Sequence, residues 1–161
     1  MNEFSIDAAE ELFAAFPEWK KLARSESAED GTEYLVIEVP SPPEAQVEHG
    51  LLINTANSEI TVGFDCYHSH FDQWVGDGEN FGTQAALEFI KQIVSERVAV
   101  VSWWHDNEWC GSAQSEAGSF PEAPTWAKQS SFNRVRVRSW KGSLNADICV
   151  AQPIIPQDAA R

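Results

Sequence analysis

Apolar and polar residues alternate most clearly in Gly50–Trp74, which reads GLLINTANSEITVGFDCYHSHFDQW. Leu51, Ile53, Ile60, Val62 and Phe64 share one face at the two-residue period of a strand, predicting a hairpin with one buried side. A turn centred on Ala56–Asn57 or on Asn57–Ser58 keeps the same residues inside, whereas a one-residue slip exposes them. Upstream, Ile6, Ala9, Leu12, Phe13 and Phe16 recur at three- and four-residue intervals. They predict a helix over residues 5–24, capped at Ser5 or Asp7 and broken at Pro17, which opens a short second turn. SESAEDGT (25–32) reads as a polar loop and Glu33–Val39 as a strand that Pro40, Pro42 and Pro43 stop.

Downstream, VGDGENFG (75–82) is a glycine-rich loop. Thr83 caps the strongest helical stripe, made by Ala86, Leu87, Ile90, Ile93, Val94 and Arg97. Val98–Trp104 follows as a strand, with WCGSAQ as its hairpin partner after HDNE (105–108), and residues 115–131 read as a loop. In the last hairpin, a Lys141–Gly142 turn sets Arg138 against Asn145, Arg136 against Asp147, Val137 against Ala146 and Val135 against Ile148. That register joins an apolar layer to a cross-strand charge pair. The order α, β, ββ, α, ββ, ββ predicts an α+β fold: a mostly antiparallel sheet of about six to seven strands with two main helices packed on it. At 161 residues the chain is expected to form a single domain, with residues 1–4 and 153–161 as flexible ends.

Charge changes the picture. The net charge is −14, which disfavours nucleic acid and anionic membranes and makes a basic protein the natural partner. It is unevenly spread. Residues 1–50 hold 12 acids against 3 bases, residues 51–126 hold 11 against 2, and residues 127–161 hold 2 against 6. No window is apolar enough for a membrane span, and the acidic N-terminus lacks the pattern of a signal peptide. With Cys66, Cys110 and Cys149 free of C-x-x-C spacing, the expectation is a cytoplasmic protein with free thiols. A monomer is favoured.

The candidate chemistry is sparse. If the strand runs on to Asp72, then Cys66, His68, His70 and Asp72 share a face with neighbours ~6.6 Å apart. His68, His70 and Asp72 are then a minority metal site, although zinc needs its ligands gathered about one point. The commoner outcome for such residues is a polar strand end, so no metal or cofactor is expected. WCGSA (109–113) lacks the second cysteine and downstream histidine of a papain-type nucleophile, and no phosphate-binding loop or hydrolase elbow occurs. No catalytic residue is therefore assigned. Arg134, Arg136, Arg138 and Trp140 alternate along one strand face; Asp147 makes an ion-pair face a better reading than an RNA surface.

Two aromatic and acidic clusters suit a protein interface: Trp104, Asp106, Glu108 and Trp109 in one, and Asp72, Trp74, Asp77 and Glu79 in the other. Trp103 and Trp104, adjacent on a strand, must point to opposite faces; either a partner or a second layer then covers the outward ring. The size, the acidity, the GLLINT…EITVGFDCYHSHF hairpin followed by a helix, and the strand VVSWWHDNEW resemble the small acidic immunity proteins of bacterial polymorphic and contact-dependent toxin systems, over roughly residues 50–110. The resemblance implies stoichiometric binding to a secreted toxin domain, often a basic nuclease, whose active site or an essential surface it occludes. It transfers no functional residue. Two other classes remain open at this level: an acidic secretion chaperone that binds an effector segment, and a metal-dependent hydrolase centred on His68 and His70.

Overall fold

A computed structural model of the protein describes residues 1–72, 81–119, 125 and 132–150. The fold is α+β and mostly antiparallel sheet, with nine strands in two sheets among the described residues. The chain divides into two compact units: residues 1–41 with 48–92, and residues 42–47 with 93–161.

The first unit holds helix α1 (Glu3–Ala15), strands β1 (Ala23–Ser27), β2 (Glu33–Val39), β3 (Leu51–Asn54), β4 (Ile60–Phe64) and β5 (Tyr67–Phe71), and most of helix α2 (Phe81–Val94). The five strands form a sheet in sequence order. As the alternation predicts, Leu51, Ile53, Ile60, Val62 and Phe64 are all buried. The pairs Leu51↔Phe64 and Ile53↔Val62 centre the turn on Asn57–Ser58, both at positive φ.

The helices take different boundaries from those expected. Asn2, not Ser5 or Asp7, caps α1, its side chain accepting from the Ser5 N–H at 2.8 Å. Starting earlier turns Ser5, Ala8, Ala9 and Leu12 inward and leaves Ile6 exposed. The buried Ser5 hydroxyl meets Thr55 Oγ1 at 2.6 Å, and Thr55 in turn accepts from the Leu35 N–H. Pro17 ends the helix as expected and opens a 3-10 turn, where Phe16 stacks on buried Trp19 with ring centroids 4.0 Å apart. Likewise α2 begins at Phe81, so Thr83 is a buried residue of its first turn rather than its cap. Its stripe of Ala86, Leu87 and Ile90 is buried as predicted, and Phe89 packs on Tyr67 and Phe71 of β5.

β1 was expected as the end of a helix and a loop, because ARSES has no apolar face. It is an exposed edge strand held by its ladder to β2 and by Arg24, which reaches Glu26 and Glu38 at 2.7 and 2.6 Å. The strand through FDCYHSHFD is also interrupted. Phe64 pairs with Tyr67, so Asp65 and Cys66 form a tight turn, with Asp65 at φ 52°. Cys66 therefore does not share a strand face with the two histidines.

The second unit contains β6 (Val98–His105), β7 (Glu108–Glu116), β8 (Arg134–Arg138) and β9 (Ala146–Cys149), ordered β7-β6-β8-β9. The predicted register of the last hairpin holds: Val135↔Ile148, Arg136↔Asp147 and Val137↔Ala146. Its connection is wider than a two-residue turn, since residues 139–145 lie outside the ladder. Ala99, Val101, Trp103, Phe132 and Val137 form the core on one face.

That wide connection is pinned by Glu96, which follows α2 with φ 58°. Its carboxylate accepts from the hydroxyls of Ser139 and Ser143 and from the backbone N–H groups of Lys141 and Ser143. Desolvation alone raises the Glu96 pKa, but these donors together outweigh it and hold the carboxyl below its ordinary range. A depressed folded pKa adds stability above the unfolded pKa of ~4.3, and that stability is lost as pH falls through the folded value. Glu96→Gln should therefore cost about 1–2 kcal/mol at neutral pH, the half-exposed setting reducing the full value of the bonds. Urea unfolding at pH 7 and pH 3 checks this, with the difference between variant and wild type shrinking at the lower pH.

Candidate functional site

The sequence-predicted binding residues separate into three groups. Trp74, Asp77 and Glu79 lie outside the described residues. Asp72 follows β5 and is half-buried. Trp104, Asp106, Glu108 and Trp109 come together at the β6–β7 hairpin, with unequal accessibility. Asp106 and Glu108 are exposed, Trp109 is 55% exposed, and Trp104 only 8%.

The cause is a β-bulge. Along most of the β6–β7 ladder Trp103 pairs with Gly111, but beyond it Trp104 pairs with Trp109, leaving Cys110 as the additional residue in β7. Gly111 accommodates the bend with φ 141°, a conformation side-chain-bearing residues rarely take. Cys110 packs toward the core with Trp103, while Trp109 joins Trp104 on the opposite face. Both adjacent tryptophans are consequently buried, on opposite sides of β6.

Trp104 is covered by the strand beside it. β8 sets Arg134 opposite Trp104 and Arg136 opposite Ser102. Their guanidinium carbons stand 5.4 and 5.1 Å from the Trp104 ring centroid, a cation–π arrangement worth about 0.5–2 kcal/mol for each partner. The Trp104 indole N–H donates to Ser102 Oγ at 2.8 Å, so its polar edge is satisfied without water. Trp104 is therefore the floor of this face and cannot serve as a protruding anchor.

The arginine face differs in one detail from the expected ion pair. Arg136 is opposite Asp147 in register, yet it is Arg138 that pairs with Asp147, its Nη2 donating to both carboxylate oxygens at 3.0 and 2.9 Å. Arg136 is drawn over Trp104, and a diagonal neighbour is within reach of a long side chain. Arg138 is itself buried and also donates to the carbonyls of Gln46, Val137 and Ala146. Trp140 is buried beyond the end of β8 rather than alternating with the arginines.

The hairpin tip is fixed by Asn133, a residue with no signal in the sequence pattern. Its Oδ1 accepts from the Asp106 N–H at 2.9 Å, its Nδ2 donates to Asp106 Oδ1 at 2.7 Å, and its own N–H donates to the Trp104 carbonyl. Asp106, at φ 53°, is thus held by three elements of one small network. The tip presents an aromatic ring and two carboxylates on a braced scaffold.

The histidines do not gather. His70 Nδ1 lies 2.8 Å from Glu59 Oε1 and 3.0 Å from Thr61 Oγ1, and its ring meets His68 edge-on with centroids 5.1 Å apart. Among the described residues no three His, Cys, Asp or Glu side chains come together to hold a metal, so His68, His70 and Asp72 do not form such a group. Among the described residues no helix is long and apolar enough to cross a membrane. No family model matches this chain, and neither does any curated protein or solved structure.

The two tryptophans should separate sharply in stability measurements. Trp104→Ala should cost about 3–5 kcal/mol by removing a buried ring and the platform for two guanidinium groups. Trp109→Ala should stay within about 0.5 kcal/mol of wild type, as a surface change. Chemical denaturation of both variants checks the pair.

Proposed function

We propose that this protein acts by binding another protein through the β6–β7 tip, as an immunity-type inhibitor of a basic toxin domain. The observation that carries the reading is Trp109, a large aromatic side chain left 55% exposed on a hairpin whose turn residue Asp106 is held by Asn133. An exposed tryptophan on a rigid support loses little conformational entropy on binding, which is how aromatic anchors come to dominate interfaces. Asp106 and Glu108 stand at its rim, where carboxylates favour a cationic surface and repel an acidic one. The overall charge of −14 supports the same choice of partner and accelerates the encounter. Inhibition then follows by occlusion: a stoichiometric complex covers the toxin's active site or an essential surface, with no chemistry supplied by this chain.

The test uses a basic protein co-purified from the native cell, with its activity and its binding both measured. Trp109→Ala should weaken the complex by at least about 2 kcal/mol, roughly 30-fold, and release the partner's activity. Asp106→Lys with Glu108→Lys should chiefly slow association and reduce its dependence on salt. A complex indifferent to all three substitutions and to ionic strength would overturn the tip as the contact.

A further inference from the structure

The protein's acidity resides almost entirely in its first unit. Residues 1–41 and 48–92 hold 17 acids against 4 bases, net −13, whereas residues 42–47 and 93–161 hold 8 against 7, net −1. Within that first unit the outward face of the five-stranded sheet carries a groove. Its floor is the row Glu38, Leu52, Gly63 and His68, neighbours across β2, β3, β4 and β5. Two adjoining hollows of about 530 and 370 Å³ share His49, Gly50 and Leu52 as lining residues.

The groove is built rather than incidental. Gly50 lets the chain pass so close to Val39 that a Cβ there would clash with the Val39 carbonyl oxygen. Asp65 holds the other wall: its Oδ1 accepts from the Glu48 N–H at 3.0 Å and its own N–H donates to the His49 carbonyl. Gly63 has a different role. A Cβ at that position would meet only ordinary contacts, with Leu52 Cβ at 3.7 Å and the Tyr67 carbonyl oxygen at 3.8 Å. Packing does not require glycine there; its effect is to leave the trough open above Leu52, a large apolar residue that is 38% exposed.

Asp65 indicates what the groove accepts. It lines the smaller hollow and is 6% exposed, yet its carboxylate has only the Glu48 N–H and the weak Cys66 thiol donor at 3.2 Å among the described residues. A carboxylate offers about four acceptor positions, so these two donors leave room for a further one. Glu48 and Glu38, the latter already paired with Arg24, line the larger hollow. We propose that this groove receives a lysine or arginine side chain of a basic partner protein, its charge set against Asp65 and its stem lying over Leu52 and Tyr67. The assignment rests on the reading of the chain as a binder of basic proteins and gives that reading a second, separate contact. Low-dielectric walls focus the negative field of the first unit into the hollow, and an apolar floor suits the methylene stem of a snorkelling cation.

The experiment titrates the isotopically labelled full chain with Nα-acetyl-lysine methylamide, and with Nα-acetyl-norleucine methylamide as an uncharged stem. The lysine compound should shift the amide resonances of Gly50, Leu52, Gly63 and Cys66 saturably, and the norleucine compound should bind about tenfold more weakly. Asp65→Asn keeps a residue that tolerates positive φ and can still accept from Glu48, and should lose that same factor of about ten. Gly63→Leu leaves the carboxylate in place and should abolish the titration by filling the trough. Equal binding of the two compounds, or a lysine response unchanged in both variants, overturns the proposal. Trp109→Ala should titrate like wild type, so loss of the groove contact and loss of the tip contact are separately visible.

Discussion

The arrangement of the second sheet depends on Trp104 lying under two guanidinium groups. A tryptophan on the outer face of a strand is normally an invitation to a partner, but β8 supplies Arg134 and Arg136 at the register positions that cover it. The stack makes the strand pair β6–β8 a sandwich of aromatic and cation rather than a conventional ion-pair face. Arg136 lies over the ring, and Arg138 makes the pair with Asp147. The stack also decides which aromatic ring remains available. With Trp103 in the core and Trp104 beneath arginines, the bulge at Cys110 leaves Trp109 at the edge of the same face, 55% exposed.

The two units differ in charge and in the surface features they carry. The first concentrates negative charge and an apolar groove on a sheet whose other face is a closed hydrocarbon core. The second is close to neutral and, among the described residues, exposes Trp109 beside a braced turn. Under the proposed reading, long-range attraction would come from one part of the chain and short-range anchoring from another, as a binder that associates quickly and dissociates slowly requires.

What could be read from the sequence was governed by periodicity. Leu51–Phe64 and the last hairpin were legible because alternation fixes the buried face there: a one-residue slip would have turned valines and isoleucines outward. α1 was legible as a helix, with Ala9 and Leu12 buried as expected, but its buried stripe also takes in Ser5 and Ala8, small residues that hydropathy does not distinguish, and leaves Ile6 exposed. β1 left no trace, since an edge strand made of Arg24, Ser25 and Glu26 is specified by its neighbour rather than by its own composition. The candidate site was half legible. The cluster of tryptophan and acid around residues 104–109 was evident, but which ring is exposed follows from a one-residue bulge and from Asn133, neither of which has a sequence signature. The histidine cluster misled because the turn at Asp65–Cys66 breaks what reads as one continuous strand.

The most direct test of a binding role for the tip is amide hydrogen exchange of this protein alone and in complex with its basic partner. The account predicts slowed exchange at residues 105–110, with the ladder of β6 and β8 unchanged because it is already protected. Protection confined to other surfaces, with residues 105–110 exchanging at the same rate in the complex as in the free protein, would contradict it.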